Sequence, residues 1–275
     1  MNGSMSTSIV TAPVPATQTN YRMQRLFPSD RAAIIVPIDH GLIFGRISGL
    51  EAPAKVMRRL AQSSVSGFMM SPGLVKRTQS ELGALGNFSR VMAIDIFWPL
   101  LDATRGTGTL IATVEDAARL GVDCVKLLMP WNTDDIEKVQ LCKRIGSVIS
   151  AAAAYAMPVM VEPVMLGAPR TPDVVKAECE VARIAFELGS DIIKIAFPGA
   201  ENTAALVDEL DVPIVIAGGP LDGGPDLLLE QVRDVVSAGA AGLIVGRNVW
   251  QRSQSDGERI MQEMADIAHA SFVRR

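Results

Sequence analysis

One pattern narrows the possible folds more than any other: an alternation of strand-like and helix-like segments. Eight short apolar runs, each bounded by turn-forming residues, span residues 33–38, 67–71, 91–97, 124–129, 159–165, 191–197, 214–217 and 242–245. Helical patterns lie between them. Residues 53–63 are amphipathic, 114–120 stop at Gly121, and a helix introduced by Thr133 runs to about Tyr155. Thr171-Pro172 places proline at a first helical position, and that helix stops at Gly189. Residues 225–238 stop at Gly239, and a last helix starts near Trp250. Eight such units in 275 residues predict one (β/α)8 barrel over 21–275, with residues 21–27 as a short helix capping its base. Residues 1–20, rich in Ser, Thr, Ala and Pro, read as a disordered tail without the pattern of a secretory signal. A doubly wound open sheet is the structural rival. Its fingerprint is missing: no G-x-G-x-x-G follows the first strand, and Gly106-Thr107-Gly108 lacks the third glycine. No P-loop and no G-x-S-x-G elbow is present.

Composition excludes several classes. With 48% hydrophobic and 20% charged residues, a sizeable core can form. A formal net charge of -4 supplies no field to draw the chain to nucleic acid or an anionic membrane. No apolar run approaches a membrane span. The unpaired spacing of Cys124, Cys142 and Cys179 suits a reducing, cytoplasmic setting. Only His40 and His269 occur, which excludes a multi-histidine metal site; no metal and no cofactor is expected.

Within the sixth run, Asp191-Ile-Ile-Lys-Ile-Ala-Phe-Pro-Gly199, Lys194 interrupts β-branched apolar residues. A lysine held there is desolvated, which lowers its pKa and makes it a nucleophilic amine. The alternative is a lysine at a strand end with its head in water. Function in such barrels sits at the C-terminal strand ends. There the first run ends in Asp39-His40-Gly41, the fourth carries Lys126 and the fifth Glu162. The seventh ends in Gly218-Gly219 and the eighth in Gly246-Arg247-Asn248. Lys126 and Lys194 come from even strands, Asp39 and Glu162 from odd ones, so two lysines and two carboxylates converge in adjacent layers at the mouth. A charge-balanced structural network is the bland alternative.

Of two close ammonium groups, one loses its proton more easily, and the free amine condenses with a ketone to an imine that draws electrons from the adjacent carbon–carbon bond. Glu162 or Asp39 then serves as base, and the second lysine steadies the developing alkoxide. Gly218, Gly219, Gly246 and Arg247 follow the two strands where barrels commonly bind phosphate, unless the glycines only make tight turns. His40 is a proton donor or an anchor for Asp39. Trp98 and Trp131 are candidates to wall the pocket, and Arg46, Arg77, Arg105 and Arg170 lie in mouth loops where one could meet a second anion.

Three segments, VPIDHG (36–41), DIIK (191–194) and GAAGLIVGRNVWQ (239–251), resemble the class I, Schiff-base aldolase superfamily. They are most similar to the group of archaeal-type fructose-bisphosphate aldolase, aminodideoxyheptulosonate synthase and autoinducer-2 phosphate thiolase. That resemblance covers nearly all of the chain after Arg31. It implies a (β/α)8 barrel, Lys194 as the imine-forming lysine, Asp39 in the active site, and Gly218, Gly219, Gly246 and Arg247 around a substrate phosphate. It also implies a homo-oligomer, such as a decamer of paired pentamers. Many members carry a tyrosine acid in a Tyr-Pro-Arg-Gly run; here Val164 stands at that place in VMVEPVMLG (159–167). Glu162-Pro163 and CVKLLMP (124–130) instead resemble tagatose-bisphosphate and sulfofructose-phosphate aldolases.

The expected activity is a metal-independent class I aldolase acting on a phosphorylated ketose or related ketone. Glu162 is the leading acid/base, assisted by Lys126 and Asp39. A thiolase or transaldolase-type transfer through the same lysine is the second enzymatic possibility, and a non-catalytic phosphosugar-binding regulator the third.

Overall fold

A computed structural model describes residues 21–29, 32–98, 107–219 and 224–272. The expected tail over 1–20 and the loop arginine Arg105 lie outside the described residues. The elements run α1 (Tyr21–Leu26), β1 (Ala33–Pro37), α2 (Gly41–Phe44), α3 (Pro53–Leu60), β2 (Gly67–Met70), α4 (Pro72–Leu85), β3 (Ser89–Ala93), β4 (Asp95–Trp98) and β5 (Thr107–Leu110). Next come α5 (Val114–Arg119), β6 (Cys124–Pro130), α6 (Asp135–Ala153), β7 (Val159–Val164), α7 (Pro172–Glu187), β8 (Ile192–Ala196), α8 (Ala200–Glu209), β9 (Ile214–Ala217) and α9 (Pro225–Ser237). The chain closes with β10 (Gly242–Ile244), α10 (Arg247–Trp250) and α11 (Gln254–Phe272). Among the described residues, no helix is long and apolar enough to cross a membrane.

Eight parallel strands close into a barrel in the order β1-β10-β9-β8-β7-β6-β3-β2, and the helices pack outside it. The (β/α)8 expectation holds. Parallel strands need long crossovers, and the apolar faces of α3, α7 and α9 bury against the strands' outer sides. Thr171 accepts a hydrogen bond from the Val174 N–H, so α7 begins as its Thr-Pro signal suggests. For α6 the cap is Asp134, one residue beyond Thr133.

Side chains alternate along a strand with a period of two. The inward residues nearest the base are Ile35, Met69, Val91, Cys124, Met160, Ile192, Val215 and Ile244. With Met23, Leu26 and Phe27 of the α1 region they form a separate apolar cluster, so α1 plugs the base as expected. Two residues further along three of these strands, the same inward face carries Lys126, Glu162 and Lys194.

The third run departs from expectation. It divides into β3, which stays in the barrel, and β4, which leaves to pair antiparallel with β5. The Ile94 N–H still donates to the Lys126 carbonyl (3.1 Å). One residue later, the Asp95 carboxylate accepts the Leu128 N–H (2.8 Å). A side chain thus satisfies the β6 donor, and the backbone is free to turn away. The last helix is also divided, because the Ser253 hydroxyl caps a new helix by accepting the Asp256 N–H (3.2 Å). The helices α4 and α8 were not among the expected segments.

Candidate active site

Lys126, Glu162 and Lys194 come from β6, β7 and β8, three neighbours in the barrel wall. Register sets their heights: Lys126 lies opposite Met160 and Leu128 opposite Glu162, so Glu162 stands one inward step above Lys126. The carboxylate bridges both lysines. Lys194 Nζ donates to Glu162 Oε1 at 2.5 Å, and Lys126 Nζ lies 2.6 Å from Glu162 Oε2. The two lysines are only 8% and 5% exposed, so neither has its head in bulk water.

The shared carboxylate acts unequally on its partners. Burial pushes the Glu162 carboxyl up, but two adjacent ammonium groups outweigh it and bring it down to about 2. Burial, helped by the like charge of Lys126, lowers the Lys194 amine and outweighs Glu162 and Asp39, leaving it below the ordinary lysine value. Burial also lowers Lys126, but Glu162, Asp95 and Asp39 outweigh it and hold that ammonium above the ordinary value. Lys126 is therefore the standing cation of the pair, and Lys194 is the group that more readily loses a proton.

Asp39, His40, Lys126, Glu162, Lys194 and Arg247 line one cavity of about 210 Å³ at the barrel mouth. Burial raises the Asp39 carboxyl, but His40 and the two lysines more than reverse that, and it ends below the usual carboxylate range. His40 Nδ1 lies 3.5 Å from Asp39 Oδ1 without a formed hydrogen bond. Its ring stands edge-on to Trp250, 5.2 Å between centroids.

The glycine ends sit at the rim on the β9–β10 side. A Cβ on Gly246 would come within 2.8 Å of Pro37 Cγ, so only glycine allows this close approach of the β1 and β10 ends. Gly219 has φ of +65°, which favours glycine there. Asn248, 3% exposed, donates from Nδ2 to the Gly218 carbonyl (2.8 Å), and Trp250 Nε1 donates to the Pro37 carbonyl (3.0 Å). These two bonds tie the β9, β10 and β1 ends together. Gly218, Gly219 and Gly246 do not themselves line the described cavity.

The candidate walls and loop cations fall elsewhere. Trp98 is 59% exposed on the hairpin, and Trp131 lies under the Lys138 ammonium; neither lines the cavity. Arg77 folds back onto the Gly73 carbonyl of its own helix. Arg170 pairs with the buried Glu178 and donates to the Ala196 and Phe197 carbonyls (3.2 and 2.8 Å). Glu178 in turn accepts the Met165 N–H (3.3 Å). This link joins the end of the strand carrying Glu162 to the end of the strand carrying Lys194.

Asp95 is a further member that the sequence reading passed over. It is 6% exposed, Oδ1 has no hydrogen-bond partner, and burial raises its carboxyl to about 6 against the pull of Lys126. A charged residue inside an apolar run, the signal that singled out Lys194, also marks Asp95.

Residues 33–252 match the DeoC/LacD family aldolase model. The chain belongs to the DeoC/LacD aldolase family. A Saccharolobus solfataricus protein described as an uncharacterized aldolase is 32% identical over 265 residues, which cover 90% of this chain and 96% of that one. The 2-amino-3,7-dideoxy-D-threo-hept-6-ulosonate synthase of Halobacterium salinarum is 30% identical over 237 residues, covering 84% and 85%. Among solved structures, an archaeal fructose-1,6-bisphosphate aldolase, with its catalytic lysine bound to a carbinolamine intermediate, has a TM-score of 0.76 at 23% identity. It covers 90% of this chain and 98% of that one. At that identity the likeness establishes that this DeoC/LacD family member shares the barrel fold.

Proposed function

We propose that the protein is a metal-independent class I aldolase that cleaves or forms a carbon–carbon bond in a phosphorylated ketose or related ketone. One observation carries this: a single carboxylate, Glu162, bridges Lys194 at 2.5 Å and Lys126 at 2.6 Å in a cavity at the mouth of a closed barrel. Lys194 passes a proton to Glu162 across their short contact, and its lone pair attacks the ketone carbon. Loss of water gives a protonated imine. Glu162 returns its proton as the carbinolamine hydroxyl leaves, and is again a carboxylate. It then takes the proton of the β-hydroxyl. The carbon–carbon bond breaks, its electrons pass to the imine to make an enamine, and an aldehyde departs. Lys126, still an ammonium, stabilises the oxygen as charge develops on it. Reprotonation of the enamine and hydrolysis release the second product.

The substrate phosphate is assigned to the rim formed by Gly218, Gly219, Gly246 and Arg247. Arg247 faces the cavity, and Asn248 holds the Gly218 loop in place. Asp39 and His40 complete the β1 side. The family and the two relatives support carbon–carbon bond chemistry, and the names of the heptulosonate synthase and the bisphosphate aldolase are consistent with an oxo or phosphorylated substrate.

Borohydride added with dihydroxyacetone phosphate tests this. The expected result is one reduced adduct that maps to Lys194, with chelator leaving the rate unchanged. An adduct on a different residue refutes the assignment, and inhibition that zinc reverses refutes metal independence.

A further inference from the structure

The wall that carries Glu162 and Lys194 is joined unevenly. On one flank the β6–β7 register continues to Pro130↔Val164, and on the other the β8–β9 register continues to Ala196↔Ala217. Between β7 and β8, among the described residues, it comprises Met160↔Ile192 and Val161↔Ile193. The next two residues in register are Glu162 and Lys194. Pro163 explains the stop. Backbone groups alternate sides along a strand, and the Val159 carbonyl accepts the Asp191 N–H (3.0 Å), so residues of that parity face β8. Pro163 shares the parity, and a proline has no N–H to give to the neighbouring strand.

Side chains close this gap. The Met165 N–H, again of the β8-facing parity, donates to Glu178 Oε1 (3.3 Å). Glu178 Oε2 is paired with Arg170, whose Nη2 donates to the Ala196 and Phe197 carbonyls (3.2 and 2.8 Å). Glu178 is a buried residue of α7, and Arg170 stands in the loop before that helix. A guanidinium presents its donors in a fixed planar fork, so one side chain can hold a carboxylate and carbonyls together. The pair therefore reaches from the end of β7 to the end of β8, just beyond Glu162 and Lys194. Arg170 does not itself line the described cavity.

The contact of 2.5 Å between Lys194 and Glu162 is the one across which the proton passes in the chemistry proposed above. Its length depends on how far apart the two strand ends stand, and a misplacement of about 1 Å can cost a factor on the order of 10² in rate. We propose that Arg170, acting through Glu178, is a positioning residue: it replaces the missing sheet bonds and sets the spacing between the carboxylate and the amine. This role rests on the imine chemistry proposed above.

The test is reductive trapping at Lys194 by borohydride, with its rate measured against the concentration of dihydroxyacetone phosphate. Truncating Arg170 alone would strand the buried Glu178 carboxylate. The variant is therefore Arg170→Met with Glu178→Gln, which removes both charges and keeps an acceptor for the Met165 N–H. Its maximal trapping rate is expected to fall at least tenfold, with the half-saturating concentration within threefold of wild type. The exposed Arg183–Glu187 pair of α7, changed in the same way, is the control and is expected to leave both quantities unchanged. Arg170→Lys keeps the charge but loses the fork, and its maximal rate is expected to fall at least threefold. Should the double variant not fold, Arg170→Lys decides alone, and a wild-type rate there overturns the proposal. A lower melting temperature with an unchanged maximal rate assigns the pair to stability and overturns the positioning role. A raised half-saturating concentration at an unchanged maximal rate makes Arg170 a substrate contact and also overturns it, as does an equal fall in the control. No Lys194 adduct in the wild type overturns the imine chemistry and this role together.

Discussion

The base and the mouth of this barrel are built from the same strands, two residues apart, and they do opposite things. At the base, Cys124, Met160 and Ile192 join the plug made by Met23 and Leu26, and the layer is buried and apolar. One inward step higher, the same three strands present Lys126, Glu162 and Lys194. The apolar layer holds the cylinder shut and excludes water from below. That exclusion is what makes the charged layer electrostatically strong, because opposite charges interact more strongly where no water screens them. The base therefore supplies stability, and the mouth uses that rigidity to hold an amine in an unfavourable place. Barrels generally divide labour in this way between their two faces.

Glu162→Gln is the largest perturbation expected at the mouth. It removes the carboxylate that bridges the two lysines and leaves two buried ammonium groups facing an amide. Activity should fall by a factor on the order of 10³, as for loss of a general base, and unfolding at pH 7 should show about 3–5 kcal/mol lost. The pH dependence has a definite sign. The Glu162 carboxyl is lowered in the fold to about 2 from 4.5, so its stabilisation of about 3 kcal/mol is present above pH 4.5 and disappears as pH falls through about 2. Denaturation of the wild type and variant across this range should converge at the acid end.

Leu26→Ala should separate the two layers cleanly. Leu26 is fully buried in the base plug, so its truncation should cost about 2–5 kcal/mol in denaturant unfolding. The folded variant should keep nearly all of its kcat. A large loss of kcat in protein that remains folded would show that the base does more than hold the barrel shut.

Asp95→Asn should have the opposite sign. The Asp95 carboxyl is raised from 3.8 to about 6, so the wild type is free of this burden below pH 3.8 and carries it fully above about pH 6. The variant keeps an oxygen to accept the Leu128 N–H and should be more stable than wild type by up to about 3 kcal/mol at pH 8. The gain should vanish at pH 3.5. Equal stability of the two proteins at pH 8 would mean that Lys126 already compensates the charge.

Much of this architecture could be read from the chain alone, and the reasons for the exceptions are local. The eight barrel strands stand out because each is a short apolar run between turn residues, and Lys194 because it interrupts one of them. The meeting of Lys126, Glu162 and Lys194 follows from strand parity once the barrel is closed. The β4–β5 hairpin did not show, because Ile94, Ile96 and Phe97 prolong the apolar run of β3 past Asp95. What ends β3 is a side-chain acceptor taking the place of a backbone one, a tertiary event with no periodic signature. The Arg170–Glu178 link was hidden for a similar reason: its partners meet across a loop and a helix, and loop arginines are usually solvated. Trp98 and Trp131 were placed near the pocket by their position after strands, but the hairpin carries the first outward and Lys138 covers the second.

The central claim is that burial and Lys126 together lower the Lys194 amine while Glu162 stays charged beside it. Its most direct test is the rate of reductive trapping at Lys194 by dihydroxyacetone phosphate, measured against pH. The rate should rise with an apparent midpoint below the ordinary lysine value of 10.5. A midpoint at or above 10.5 would contradict the account.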